Sequence, residues 1–400
     1  MLGVGVHHGQ NFPMSGGLLS SVLAVICVTI WLYLAGCRGR YWLGPVRDAD
    51  APRRPAEWPS IAVVVPARNE ADVIGASVSS LLRQDYPGPL TIFIVDDDSS
   101  DGTAAAAGQA AADAGGRDVT VVTSKGPPSG WTGKLWALKQ GIAAAEAARP
   151  DYLLLTDADI VHAPDTLAWL VAKSLAGRLA LTSLMAKLRC ESLAERSHVP
   201  AFVYFFQMLF PFAWVGRSDV STAAAAGGCM LIRSDALARV GGIGSIRNAL
   251  IDDCSLAAKL KETGPIWLGL TERVRSIRPY ATFADVSQMI VRSAYAQLRF
   301  SPLLLAGATI GMALTFLAPP LLAIFTDGWP RYLGLAVWLA MAASFLPTLR
   351  FYRLSPVWSI VLPAIALLYM LYTLDSAYRH LRRRGGEWKG RVHVDAPSLP

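Results

Sequence analysis

The chain has 400 residues, enough for two or three structural units, and is 53% apolar with only 17% charged residues. Its net charge of +7 comes from bases gathered beside apolar segments. They do not alternate with aromatics, so anionic lipid head groups are the expected partner and no nucleic acid is. The five cysteines (Cys27, Cys37, Cys190, Cys229, Cys254) form no CxxC pair, which argues against a zinc site or disulfide framework and fits a reducing cytoplasm.

Residues 1–16 form an N-terminal tail without Lys or Arg. The uncharged segment 17–36 is long enough to cross a bilayer, which needs about 20 apolar residues. A signal peptide is the alternative, but it would carry a positive n-region. Here Arg38, Arg40, Arg47, Arg53 and Arg54 follow the segment instead, in a linker over residues 37–57. The positive-inside rule then keeps the domain behind it in the cytoplasm.

Within the globular stretch 58–283, Ile61–Val65 is a continuous apolar run of the kind covered on both faces in parallel sheets. Helical spacing follows over Ala71–Arg83. A second strand, Thr91–Val95, ends in Asp96-Asp97-Asp98, and an Ala-rich helix spans Ala104–Ala114. Val119–Thr123 reads as a third strand, Lys134–Ala148 as a helix, and Tyr152–Thr156 as a fourth strand ending in Asp157-Ala158-Asp159. Strand and helix alternating at this interval predict a doubly wound α/β sheet, whose ligands bind outside the carboxyl ends of the strands. Beyond Asp165 the pattern loosens. The aromatic stretch Ala201–Val215, interrupted by Pro211, is short for a span and is expected as a core helix or, preferably, one lying in the membrane interface. Gly227–Arg233 reads as a Gly-led turn into a strand, and Ile251–Leu256 opens a helix.

An interface helix is expected over 284–300. A membrane region follows over 301–374, with apolar segments at Ser301–Thr326, Tyr332–Leu349 and Leu354–Leu374. Pro319-Pro320 interrupts the first of these, which is therefore expected to be re-entrant or partly interfacial. The tail 375–400 carries Arg379, Arg382, Arg383, Arg384, Lys389 and Arg391, bases that favour the cytoplasmic side.

The acid-tipped strands carry the chemistry. Leu153-Leu154-Leu155 cannot continue as Asp-Ala-Asp inside a sheet without burying unpaired charge, which costs several kcal/mol per ion. Asp157 and Asp159 therefore suit a divalent cation at an open edge, and a helix N-cap is their alternative role. Asp96 to Asp98 fit an Asx-type turn equally well. Lys134 near a helix start can approach a diphosphate or lie solvated. Gly227 and Gly228 allow close backbone approach or simply shape a turn. Asp252 and Asp253 suit a helix N-terminus or a general base.

The ordered set Val65-Pro66-Ala67-Arg68-Asn69-Glu70, Val95 to Thr103, Gly133 to Leu138, Asp157-Ala158-Asp159 with Pro164-Asp165, and Asp252-Asp253 resembles family 2 glycosyltransferases of GT-A fold. The resemblance covers about residues 58–300. The flanking apolar segments, Gln297 to Pro302 and Trp388 to Arg391 look most like the hopene-associated branch, which is similar to ceramide glucosyltransferases. It implies an inverting, metal-dependent transfer from a nucleotide-diphosphate sugar, a UDP-sugar foremost, to a membrane lipid such as a hopanoid at the inner (cytoplasmic) membrane. Its implied roles are Asp157 and Asp159 for Mg²⁺ or Mn²⁺, and Asp253 as the catalytic base. Pro66, Arg68, Glu70, Asp96, Asp97, Lys134 and Asp157 would bind the donor; Gly227, Gly228, Asp252, Tyr295, Gln297 and Arg299 would border the acceptor. Asp98 stands where the family more usually has glycine. The Gln-x-x-Arg-Trp element of processive synthases is absent, which implies transfer of a single sugar. Alternatives are a polyprenyl-phosphate acceptor and a non-catalytic transport or scaffold protein with a degenerate transferase domain.

Overall fold

The computed structural model describes residues 14–44, 46–114, 118–382, 387–388 and 391–392. Most of the N-terminal tail, and Arg383, Arg384 and Lys389 of the basic tail, lie outside the described residues.

Met14–Leu32 forms α1, prolonged by a π-turn over Tyr33–Cys37. The next elements follow the expected alternation: β1 (Ile61–Ala67), α2 (Ala71–Leu82), β2 (Leu90–Asp96), α3 (Thr103–Ala114), β3 (Val119–Thr123), α4 (Gly133–Ala145) and β4 (Tyr152–Leu155). Then come β5 (Ile160–His162), α5 (Thr166–Gly177), β6 (Leu181–Lys187), α6 (Leu193–Leu209), α7 (Phe212–Val215), β7 (Met230–Arg233), α8 (Ser234–Arg239), α9 (Asp252–Lys261) and β8 (Ile266–Ser276). The C-terminal helices are α10 (Phe283–Gln297), α11 (Pro302–Met312), α12 (Ala318–Phe325), α13 (Trp329–Phe351) and α14 (Leu362–Leu381). Glu387–Trp388 and Arg391–Val392 pair with each other as β9 and β10.

The main sheet has eight strands in the order β3-β2-β1-β4-β7-β6-β8-β5. β3, β2, β1 and β4 run parallel, and β7 joins β4 antiparallel. β1 is buried at every position because helices cover both faces. Ile61, Val63 and Val65 pack with Ile74 and Val78 of α2, whereas Ala62 and Val64 pack with Leu135 and Leu138 of α4. A side chain at Gly141 would bring its Cβ to 2.5 Å from Val64 Cγ1 and 2.6 Å from Val95 Cγ2. α4 thus sits directly on the strands, and this seating points its first turn at their carboxyl ends. The α/β sheet wound on both faces is as expected. Its size is not: β5, β6 and β8 are not among the expected strands. β8 includes Glu272, Arg273 and Arg275, so tertiary pairing with β6 and β5 overrides its composition.

Four helices among the described residues are long and apolar enough to cross a membrane: Gly17–Cys37, Leu193–Val215, Pro302–Phe325 and Trp329–Phe351. Two expectations change. The segment Leu354–Leu374 is not one helix. The chain turns through Arg353 in the left-handed region (φ +56°), makes a 3₁₀ turn over Pro356–Ser359 and starts α14 only at Leu362. Conversely, Leu193–Val215 has its most apolar window 61% buried within the protein. Tyr204 and Phe205 pack with Phe345 of α13 and Tyr369 of α14, so its aromatics are core rather than surface.

Pro319-Pro320 does not break its segment. A π-turn over Ala313–Leu317 precedes the pair, which occupies the first turn of α12. Proline has no N–H to give the preceding turn. The carbonyl of Thr315 instead accepts from Trp31 Nε1 of α1 at 2.9 Å, and that of Leu314 from Cys27 Sγ at 3.3 Å.

Candidate active site

Three loops meet at the carboxyl ends of β1, β2 and β4. In the first, Arg68 donates to the carbonyls of Asp97 and Asp98, and Asn69 Oδ1 accepts from Ser100 N–H at 2.9 Å. Asp101 accepts from the N–H groups of both Ala71 and Thr103, at 3.0 Å each, so one carboxylate caps α2 and α3 together. Asp98 sits in the left-handed region (φ +56°). That explains why glycine suits this position, and Asp is among the few other residues that tolerate it. Pro66 lies inside β1, opposite Val95.

Asp97 is fully buried and accepts from Ser124 Oγ at 3.1 Å. Asp96 differs: it is buried, yet its Oδ1 has no hydrogen-bond partner among the described residues. Of the two acids, Asp96 is the one with an acceptor oxygen left over.

β4 stops where its sequence demands. Thr156 makes the last bond to β1, its N–H donating to the Val64 carbonyl at 3.2 Å, while its hydroxyl donates to the Gly228 carbonyl at 2.7 Å. Asp157 and Asp159 then occupy the turn into β5. Lys134, in the first turn of α4, lies 2.9 Å from Asp157 Oδ1 and 3.1 Å from Asp252 Oδ2. Burial opposes the lysine's charge, but Asp157 and Asp252, with Asp253 beyond, outweigh it and hold its pKa above the ordinary value.

Asp253 Oδ2 accepts from Gly227 N–H at 3.0 Å and Oδ1 from Cys254 N–H at 2.7 Å. Burial and the neighbouring Asp252 push its pKa up to about 6, against the opposing pull of Lys134. A Cβ on Gly227 would stand 3.3 Å from Lys134 Nζ and 3.5 Å from Asp253 Oδ2. One on Gly228 would stand 3.1 Å from Ile160 Cδ1. The structure therefore gathers Lys134, Asp157, Asp252, Asp253, Gly227 and Gly228 from four chain segments into one cluster.

Asp159 faces another way. Its Oδ2 accepts from Ser276 Oγ at 3.0 Å and Arg278 Nε at 3.1 Å. The same guanidinium binds both oxygens of Glu70. Arg278 is a site residue that sequence reading missed, because β8, which delivers it, was not among the expected strands. Among the described residues, no three His, Cys, Asp or Glu side chains converge to cage a metal.

Tyr295, Gln297 and Arg299 are not part of this cluster. Tyr295 is buried, donates its hydroxyl to the Phe300 carbonyl at 2.8 Å and takes its backbone N–H to Ser376 of α14. Gln297 and Arg299 are exposed at the end of α10. The buried face of α10 turns to α14 and α6 instead.

A family model described as glycosyltransferase like family 2 matches residues 59–295. Among solved structures, the mannosyltransferase PcManGT from Pyrobaculum calidifontis, in complex with GDP-Man and Mn²⁺, is similar with a TM-score of 0.50 and 22% identity. That likeness covers 88% of this chain and 99% of the other, and it shows the GT-A fold. Mannosyl-3-phosphoglycerate synthase from Rubrobacter xylanophilus has a TM-score of 0.36 and 18% identity over 60% of this chain and 74% of its own. TarS residues 1–349 from S. aureus, in complex with UDP-GlcNAc, has a TM-score of 0.37 and 14% identity over 81% and 92%. No curated protein matches this chain.

Proposed function

This chain belongs to the glycosyltransferase-like family 2, and on that premise we propose that it moves one sugar from a nucleotide-diphosphate sugar to the hydroxyl of a membrane lipid, with inversion. The observation that carries this reading is the Lys134 bridge between Asp157 and Asp252, with Asp253 held beside it by Gly227. A cation for a diphosphate and a carboxylate whose pKa is raised toward neutrality lie side by side, as an inverting transfer to a hydroxyl requires.

Asp253 takes the acceptor proton while the sugar carbon is attacked from the opposite face. Lys134, freed from Asp157 by an incoming diphosphate, stabilises the departing charge. Asp96, with its unpartnered Oδ1, accepts from an O–H or N–H of the nucleoside, and the Arg68 and Glu70 loop frames it. Asp252 holds Lys134 from the acceptor side, and Gly228 keeps the backbone open to approach.

Asp157 and Asp159 are the residues that would hold Mg²⁺ or Mn²⁺. Two carboxylates completed by substrate phosphates are a normal donor set for such ions, and no protein cage is needed. When bound, the ion supplies Lewis-acid neutralisation of the leaving diphosphate. Asp157, with 35% of its side chain exposed, is the readier ligand; Asp159 must loosen its hold on Arg278. The Mn²⁺ and GDP-Man in the mannosyltransferase of like fold support the donor and metal readings. A UDP-sugar is the donor we favour.

The apolar helices on both sides of the transferase unit support a lipid acceptor, since helices of that length and composition would hold the cluster near a bilayer. We assign 58–283 to catalysis, 284–300 to a connecting helix, and 17–36 and 301–374 to the membrane region. The domain lies on the cytoplasmic face of an inner membrane, as the bases after α1 favour. The motifs Gln297 to Pro302 and Trp388 to Arg391 support a hopanoid as acceptor. The test is purified full-length chain with a panel of nucleotide-sugars and extracted membrane lipids, read by mass spectrometry. A glycosylated lipid is expected. Nucleotide-sugar turnover with no lipid product sinks the acceptor.

A further inference from the structure

A cavity of about 490 Å³ opens between the linker after α1, β8 and the end of α13. Leu43, Gly44 and Arg47 line one side, Leu270 and Glu272 the floor, and Pro347 to Arg353 the other side. Three guanidiniums, Arg47, Arg350 and Arg353, face one carboxylate. That carboxylate is already engaged: Glu272 lies 2.6 Å from Lys187 Nζ and 3.8 Å from Arg353. Among the described residues neither Arg47 nor Arg350 belongs to an ion pair. The excess charge is therefore positive and uncompensated.

The cations are also arranged. The Arg47 guanidinium lies over the Phe351 ring at 5.1 Å, and Lys187 stands over the same ring at 4.7 Å. A guanidinium held at a ring by cation–π attraction keeps N–H groups that can bind an oxyanion in bidentate fashion. Arg350 closes the last turn of α13, and Leu43 is 42% exposed a few residues beyond α1. Basic edge and apolar flank thus meet where two membrane-length helices end against the transferase unit.

We propose that this cavity binds the phosphate of an anionic membrane lipid, its acyl chains running along α1 and α13. The inference rests on the reading of these helices as spans and on nothing in the sugar-transfer cluster. Arg47 and Arg350 grip the phosphate oxygens, and Glu272 fixes Arg353 and Lys187 behind them. A bound headgroup would set the height of the transferase unit over the bilayer.

The test uses the full chain reconstituted in nanodiscs of mixed phosphatidylcholine and phosphatidylglycerol, with co-released lipid counted by native mass spectrometry. Enrichment of phosphatidylglycerol is expected, reduced about thirtyfold in Arg47→Gln/Arg350→Gln, since each base is worth about 1 kcal/mol toward an anionic surface. The single, exposed Arg350→Gln variant, expected to show a partial loss, serves if the double variant does not fold. Equal lipid composition in wild type and variant overturns the proposal. Thermal stabilisation by inorganic phosphate alone, lost in the variant and without lipid enrichment, assigns the cavity to a free anion and overturns the headgroup. Carbonate extraction separates the premise from the site. A chain released by carbonate overturns the spans and the proposal with them, whereas a retained chain without enrichment overturns the site only.

Discussion

Arg278 binds both carboxylate oxygens of Glu70 through one guanidinium nitrogen, at 2.6 and 2.5 Å, across 208 residues of chain. The same side chain reaches Asp159 at 3.1 Å. One cation therefore ties the loop after β1 to the turn after β4 and fixes the spacing between them.

Removing it leaves two buried acids facing each other. A fully buried pair broken on one side costs about 3–5 kcal/mol; since the Arg278 side chain is 27% exposed, about 2–3 kcal/mol is expected for Arg278→Ala. Glu70→Gln in the same chain should return part of that loss. Thermal unfolding of the solubilised protein reads both, and an unchanged melting temperature in Arg278→Ala contradicts the assignment.

Asp253→Asn should lower kcat by about 10²–10⁴-fold, the usual contribution of a positioned base, with little change in donor KM. The pH profile follows from the same group. A base works only when deprotonated, and the Asp253 pKa is raised to about 6. Turnover should therefore hold above that value and fall as pH drops through it. Near-normal turnover in the variant would identify a phosphate acceptor, which needs no base.

Asp157→Ala and Asp159→Ala should both weaken the response to Mn²⁺. The shift in apparent metal affinity should be at least the roughly 10–100-fold typical of partners that merely orient a ligand. The two should differ in stability, because only Asp159 is tied to Arg278 and Ser276. Titrating metal against turnover separates these effects. Full activity of Asp159→Ala at ordinary Mg²⁺ or Mn²⁺ concentrations removes it from the metal site.

Trp31→Phe should cost about 1–2 kcal/mol, a typical value for a polar contact between helices in an apolar setting. Its indole N–H satisfies the Thr315 carbonyl that Pro319, four residues on, cannot reach. In a Pro319→Ala background the backbone N–H is restored and the same substitution should cost less. Equal costs in both backgrounds would contradict this account.

The sequence by itself determined the parallel half of the sheet, the membrane-length helices at 17–36 and beyond 300, and the acid tips of β2 and β4. These are local facts: runs of Val and Ile make strands, and a carboxylate cannot stay in a buried ladder. Tertiary structure decided what each charge faces. Lys134 reads in sequence as a lysine at a helix start, fit for a diphosphate or for solvent, and becomes the bridge between Asp157 and Asp252 only because α4 is seated at Gly141. β8 escaped notice because Glu272, Arg273 and Arg275 follow its short apolar run Ile266–Leu270, so Arg278, which it delivers to Asp159 and Glu70, was missed too. Tyr295, placed near the acceptor by its order along the chain, is turned to α14 by packing. Pairing partners separated by a hundred residues or more depend on where the chain returns, and no local pattern encodes that.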